Sequence, residues 1–278
     1  MCWSPCGQYL AAGSPKDSAF AVWDVTTREW CAVSVCRCYR STHLTRRRRM
    51  RSTRLRSGGI FGARVLRWSP RGDYLLVAGF TSHGFEIWET HTWFVLPFGA
   101  CAAARLSAAD LRRALVMRRT SRSWSTSGHF LTDAAWSADE GVLLIALSDT
   151  PQMAVLHFVG GPPSLLAHLL PLDLPGLDAR VRISGIALDS GAQQLAVACV
   201  CDRGDQEAWV GVFALKSSPV FAAQPTGKVL QPAAARLQQT HGQALAGVAF
   251  RPMAAASTRA ADASLAVSWP RAVCLVTL

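Results

Sequence analysis

The side chains able to do chemistry are few and scattered. Cys36/Cys38 and Cys199/Cys201 form Cys-x-Cys pairs with the donor atoms for zinc. Neither has the second C-x2-C or H-x3-H pair that a tetrahedral site needs. Gly227-Lys228 ends like a phosphate-binding loop, yet it lacks the upstream glycines whose amides would cradle the anion. No G-x-S-x-G elbow or H-E-x-x-H pattern occurs, and the seven His are dispersed. No nucleophile, acid–base pair or ligand set converges, so no catalytic, metal or cofactor-binding residue is expected and the chain is expected not to be an enzyme. The remaining reactive feature is charge. Arg46-Arg47-Arg48-Arg49-Met50-Arg51 can be a partner-binding loop for an import receptor, nucleic acid or anionic lipid, or can simply be a solvated, disordered loop.

That charge is local. The 278 residues carry +11. The stretch from Arg37 to Arg56 accounts for +9 and that from Arg105 to Arg122 for +5, which leaves the remainder at −3. A uniformly basic nucleic-acid-binding body is excluded. Lys is rare, at three against 26 Arg, and Asn is absent, so no N-glycosylation sequon exists. Nine Cys, an odd number in a chain of this length, point to reduced thiols in a nuclear or cytosolic compartment. The most apolar stretch, Phe158 to Leu177, is interrupted by Pro162, Pro163, Pro171, Asp173 and Pro175. No transmembrane segment is expected there.

The elements that would hold any site emerge from self-similarity. Trp3-Ser4-Pro5-Cys6-Gly7-Gln8-Tyr9-Leu10 recurs as Trp68-Ser69-Pro70-Arg71-Gly72-Asp73-Tyr74-Leu75, and more loosely from Trp136, Leu188 and Phe250. A second landmark follows about twenty residues later: Ala21-Val22-Trp23-Asp24, then Glu86-Ile87-Trp88-Glu89, then His157, with Phe213 further on in the fourth copy. Ser-Pro-x-Gly is a tight-turn sequence, in which proline presets φ and glycine accepts a positive φ. It lies between short apolar runs of strand length. Such meanders cannot bury both faces alone, so neighbours must stack, and radial stacking gives a propeller. Trp3, Trp23, Trp68, Trp88, Trp136, His157 and Phe213 are the expected structural anchors of the blades, each indole contributing about 2–3 kcal/mol on burial.

The fold class expected is all-β: a WD40-type β-propeller region over 1–278 with about five recognisable blades. Blade starts lie near 3, 68, 136, 188 and 250, which is 52 to 68 residues apart. A WD-type blade needs about 40–45, so the excess is assigned to insertions. The principal ones are 36–59, Arg-rich and expected to be disordered, and 100–128, Ala/Arg-rich. Segments 160–180 and 225–242 are shorter cases. In 100–128, the spacing of Arg112, Arg113, Arg118, Arg119 and Arg122 suits either a linker or a short amphipathic helix.

The paired W-S-P-x-G and V-W-D sequences resemble the WD-repeat superfamily. Read in order with Gly13-Ser14-Pro15, Phe85-Glu86-Ile87-Trp88-Glu89, Trp93 and Ser217-Ser218-Pro219-Val220-Phe221, the chain resembles the aladin family of WD-repeat nucleoporins. The likeness covers that family's later blades and implies a truncated, incomplete propeller. It further implies a non-enzymatic scaffold of the nuclear pore complex at the nuclear envelope, acting in pore organisation and nucleocytoplasmic transport. Its partners would be other nucleoporins, including an integral membrane nucleoporin. The alternative is an RNA-associated propeller, in translation or ribonucleoprotein assembly, that uses the Arg-rich loops. The Asp–His–Ser/Thr–Trp lock of WD blades is degenerate here: Asp17 is the one suitably placed acid, so packing is expected to hold the blades.

Overall fold

The computed structural model describes residues 1–13, 19–35, 54–55, 63–79, 84–91, 94–95, 118–120, 123–125, 129–148, 150, 152–158, 165–171, 181–201, 208–216, 222–230, 247–250, 264–269 and 272–277. These are strands and tight turns arranged in five sheets among the described residues. The chain divides into two compact units: Met1–Leu131 with Phe158–Leu166, and Thr132–His157 with Ala167–Leu278.

The first unit holds two sheets. The first sheet runs β1 (Cys2–Trp3), β2 (Tyr9–Gly13), β3 (Ala19–Asp24), β4 (Glu29–Val35) and β5 (Arg54–Leu55). The second sheet is built on β6 (Ala63–Trp68), β7 (Tyr74–Gly79) and β8 (Gly84–Glu89). Both β9 (Phe94–Val95) and the hairpin of β10 (Arg118–Thr120) and β11 (Ser123–Ser125) join it at β8. Along each strand successive side chains point to opposite faces of the sheet. Ala11, Phe20 and Val22 of the first sheet therefore meet Leu66, Leu75, Val77 and Trp88 of the second in one apolar cluster.

The second unit contains most of the third sheet: β12 (Leu131–Trp136), β13 (Val142–Leu147), β14 (Gln152–Phe158) and β15 (Leu165–Pro171). The fourth sheet follows as β16 (Val181–Leu188), β17 (Gln194–Cys201), β18 (Ala208–Lys216) and β19 (Ala222–Leu230). The fifth consists of β20 (Gly247–Phe250), β21 (Ser264–Trp269) and β22 (Ala272–Thr277). The fourth sheet is buried on both sides, and β17 shows how. Leu195, Val197 and Cys199 pack toward Leu144, Met153 and Val155 of the third sheet, while Ala196 and Ala198 pack toward Leu265 and Val267 of the fifth. That two-sided burial explains the continuous apolar run Leu195 to Val200, which a half-exposed strand would have alternated with polar residues.

The repeated corners share one hydrogen-bond pattern. Tyr9 N–H donates to Ser4 Oγ at 2.9 Å and Ser4 N–H to the Tyr9 carbonyl at 2.8 Å. Tyr74 and Ser69 repeat this at 2.9 and 2.8 Å, and Val142 and Ser137 at 2.8 Å for both. In the fourth copy Asp189 replaces serine: Gln194 N–H donates to Asp189 Oδ1 at 2.8 Å. The fourth residue of each corner takes positive φ. Gly7 and Gly72 fill that place in the first two copies, but Glu140 (φ 61) and Ala192 (φ 52) fill it in the next two. The glycines visible there in the sequence, Gly141 and Gly191, lie one residue to either side.

A left-handed alanine costs about 1–2 kcal/mol, and glycine gives back about 0.4–1 kcal/mol through the unfolded chain. Ala192→Gly should therefore stabilise the protein by up to about 1 kcal/mol. A rise in urea midpoint is the expected reading, with Gly72→Ala moving the opposite way.

Candidate functional site

The predicted anchors divide into three groups. Trp88 (1% exposed), Trp136 (8%) and Phe213 (0%) are buried. Trp23 and Trp68 are half-buried. The structure places the other two differently. Trp3, in β1, is 57% exposed. His157 is half-buried and stands opposite Val142, whereas Leu156 stands opposite Leu143. Leu10 pairs with Trp23, Leu75 with Trp88 and Leu195 with Phe213. By the same register, Leu156, fully buried, is the anchor of the third blade.

Asp24 of the V-W-D sequence ties the turn that follows it. Its Oδ1 accepts from the amides of Thr26 (2.8 Å) and Thr27 (3.2 Å), and its Oδ2 accepts from Gln8 Nε2 at 3.1 Å. Burial pushes its carboxyl up, but these hydrogen bonds outweigh burial and hold it below the usual carboxylate range. The stabilisation is present above the ordinary value and is lost as pH falls through the lowered one.

The sequence reading overlooked Asp133. In β12 it is buried beside Leu131 and Ala134, and it bridges two sheets of the second unit. Oδ1 accepts from Ala134 N–H at 2.8 Å and Oδ2 from Ile186 N–H at 3.1 Å. A β-bulge between Ile183 and Gly185 interrupts the pairing of β16 with β17 beside that amide. The available signal was an acid between the apolar Leu131 and Ala134 in the blade's first strand.

Three of the four exposed large apolar side chains among the described residues, Met1, Trp3 and Val25, lie in the first sheet or next to its strands in sequence. Trp3 pairs with Leu10 and Leu10 with Trp23, so the three form one row across the sheet. Met1 (90% exposed) and Val25 (41%) adjoin it. The basic insertion leaves the same sheet: β4 ends at Val35, and β5 returns parallel to it through the Val33–Arg54 and Ser34–Leu55 pairs. Arg46, Arg47, Arg48, Arg49 and Arg51 lie outside the described residues, as do Asp17, Trp93, Cys36 and Cys38. Within 100–128, the described part is the β10–β11 hairpin, so strand pairing stands where a linker or short helix was expected. Arg112 and Arg113 fall outside the described residues.

Among the described residues no group of three or more metal-ligating side chains occurs, and no helix is long and apolar enough to cross a membrane. Cys199 is buried, and burial pushes its thiol up to about 12. Cys6 is exposed, and its hydrogen bond with Ser4 draws its thiol below the usual value.

Repeated antiparallel sheets with clamped corners, stacked through apolar faces, define a β-propeller of the WD type. No protein-family profile matches the chain. It resembles aladin: the Aladin of Arabidopsis thaliana is 30% identical over 240 residues, which cover 84% of this chain and 42% of that protein. The chain thus spans less than half the length of this relative. Among solved structures, hydrazine synthase of Kuenenia stuttgartiensis has a TM-score of 0.58 at 12% identity, covering 99% of this chain and 70% of that one. Sqt1 of Chaetomium thermophilum has a TM-score of 0.53 at 15% identity, covering 100% and 55%. At such identities the structural likeness concerns the fold alone.

Proposed function

We propose that this chain is a non-enzymatic WD-repeat scaffold of the nuclear pore complex, held at the nuclear envelope and acting in pore organisation and nucleocytoplasmic transport. Its partners are other nucleoporins, including an integral membrane nucleoporin. The observation that carries this reading is the 30% identity to Aladin across 84% of the chain. The physical arrangement agrees with it. The buried polar groups close corners and bridge sheets, as Ser69 and Asp133 do. Rigid stacked sheets can hold several partners on loops and edges without chemistry.

The test is localisation of the tagged full chain together with proximity labelling. A nuclear-rim signal and nuclear-pore neighbours are expected, and both should persist when Arg46 to Arg49 are changed to serine. A missing rim signal, or a neighbour set dominated by ribosomal or splicing proteins, overturns the reading.

A further inference from the structure

The outer edge of β8 is filled by two separate segments. β9 takes its C-terminal end, with Phe94 facing Glu89 and Val95 facing Trp88. β11 takes its N-terminal end, with Trp124 facing Phe85 and Ser125 facing Gly84. Both run antiparallel to β8, so they lie in line and point the same way, as two pieces of one fourth strand. Between them the chain makes an excursion over 96–122, and β10, within it, pairs with β11.

The first and fourth sheets have no such break. Their fourth strand follows the third directly: β4 accompanies β3 from Asp24 to Ala19, and β19 accompanies β18 from Lys216 to Val210. The second sheet starts the same way. An antiparallel register advances one residue on each strand at every step. Continued past Val95, β9 would set Leu96 against Ile87, Pro97 against Glu86, Phe98 against Phe85 and Gly99 against Gly84. Leu96 to Gly99 lie outside the described residues. At the two positions that β11 holds, the continuation offers residues of the same kind. Opposite the buried Phe85 stands an aromatic residue, Trp124 or Phe98, and opposite Gly84 a small one, Ser125 or Gly99. Facing aromatic residues are among the stabilising cross-strand pairs of a sheet.

We propose that this edge is a two-state element. In the observed state the hairpin of β10 and β11 holds Gly84 and Phe85. In the other, β9 runs on to Gly99, takes both positions and sets the hairpin free. The opposing terms are comparable. The hairpin gains the pairs between β10 and β11, whereas the continuation closes no long loop and lacks only the donor at Pro97, which an outermost strand tolerates. The exchange lifts Arg118 and Arg119 off the sheet with the rest of the basic stretch from Arg105 to Arg122. An anionic partner that binds this stretch off the sheet would draw the chain into the second state. The proposal goes beyond the scaffold reading and does not depend on residence at the pore.

The experiment is limited trypsin digestion of the full chain, with cleavage after Arg118 and Arg119 followed by mass spectrometry and the urea midpoint measured alongside. Cleavage there reads the released population when exchange is fast relative to the protease. An aromatic pair is strong enough to shift the ratio of the two states about two- to tenfold. Trp124→Ser should therefore speed cleavage by about that factor. Phe98→Ser, at a residue absent from the observed pairing, should slow it by a similar factor, whereas simple fraying of the hairpin would ignore Phe98. Because either segment covers for the other, the double variant should lose more in urea midpoint than the two single losses summed. If Phe98→Ser fails to fold, Gly99→Pro, which removes a ladder donor from the continuation, decides in its place and should slow cleavage too. Cleavage indifferent to Phe98 and Gly99, midpoint losses that simply add, or a Trp124→Ser chain that fails to fold each overturn the proposal.

Discussion

Trp88→Ala should destabilise the protein by about 3–5 kcal/mol, the range for deleting a buried aromatic side chain. Trp88 is 1% exposed and lies in the apolar cluster joining the first two sheets, with its ring edge-on to Phe20 at 5.3 Å and 74°. The lost indole leaves a cavity bounded by β-strands, whose paired backbones cannot close inward without breaking hydrogen bonds. The urea midpoint should fall, and amide exchange should accelerate in β2, β3, β7 and β8. Trp88→Phe should recover part of the loss, because it keeps an aromatic partner for Phe20. A loss below about 1 kcal/mol for the alanine variant would show that the cluster does not hold these sheets together.

Gly13→Val should be the second severe change, and for the opposite reason. Gly13 ends β2 close against Ala63 of β6. A Cβ added there would overlap the Ala63 Cβ, with the Ala63 Cα at 3.3 Å and its carbonyl oxygen at 3.4 Å. The obstacle is a methyl group fixed directly to a strand backbone, so no side-chain rotation relieves it. Overpacking costs about 1–3 kcal/mol, and valine, with two further carbons, belongs at the top of that range. Ala63→Gly should rescue Gly13→Ala while doing little for Gly13→Val. A double-mutant cycle with coupling above about 0.5 kcal/mol would confirm the direct clash, and additive behaviour would refute it.

The corners were the most legible part of the sequence, because their backbone geometry restricts the residues that fit. Ser69 must accept from the Tyr74 amide, and Gly72 must adopt a positive φ, so the two write a recognisable word. The third and fourth corners keep the geometry with other residues. Asp189 offers a carboxylate where serine offered a hydroxyl, and Glu140 and Ala192 accept the left-handed backbone. Their weaker spelling concealed an equally regular structure.

The misplaced anchor has a related origin. Twenty residues after Trp136 lies Leu156, but the ring of His157 suggested the aromatic position one step on. In a strand, one step reverses the face. The spacing carried the information, and the residue type misled.

Outer strands were least legible. β15 falls within 160–180, and much of β19 falls within 225–242, both assigned to insertions. At Gln224, Pro225 and Thr226 the strand faces solvent, so its composition matches that of a loop. Only pairing with β18 reveals it. The exposure of Trp3 was equally invisible, since the same local sequence word surrounds the half-buried Trp68.

The Ser-Pro dipeptides of the first two corners are the sequence that proline-directed kinases read. In the folded chain Ser4 is 4% exposed and Ser69 0%, and each Oγ already accepts a backbone amide. A phosphoryl group at either hydroxyl would have to displace the strand that the hydroxyl secures. These serines are substrates only during synthesis or after unfolding, so phosphate found on them would report a blade that had not closed its corner.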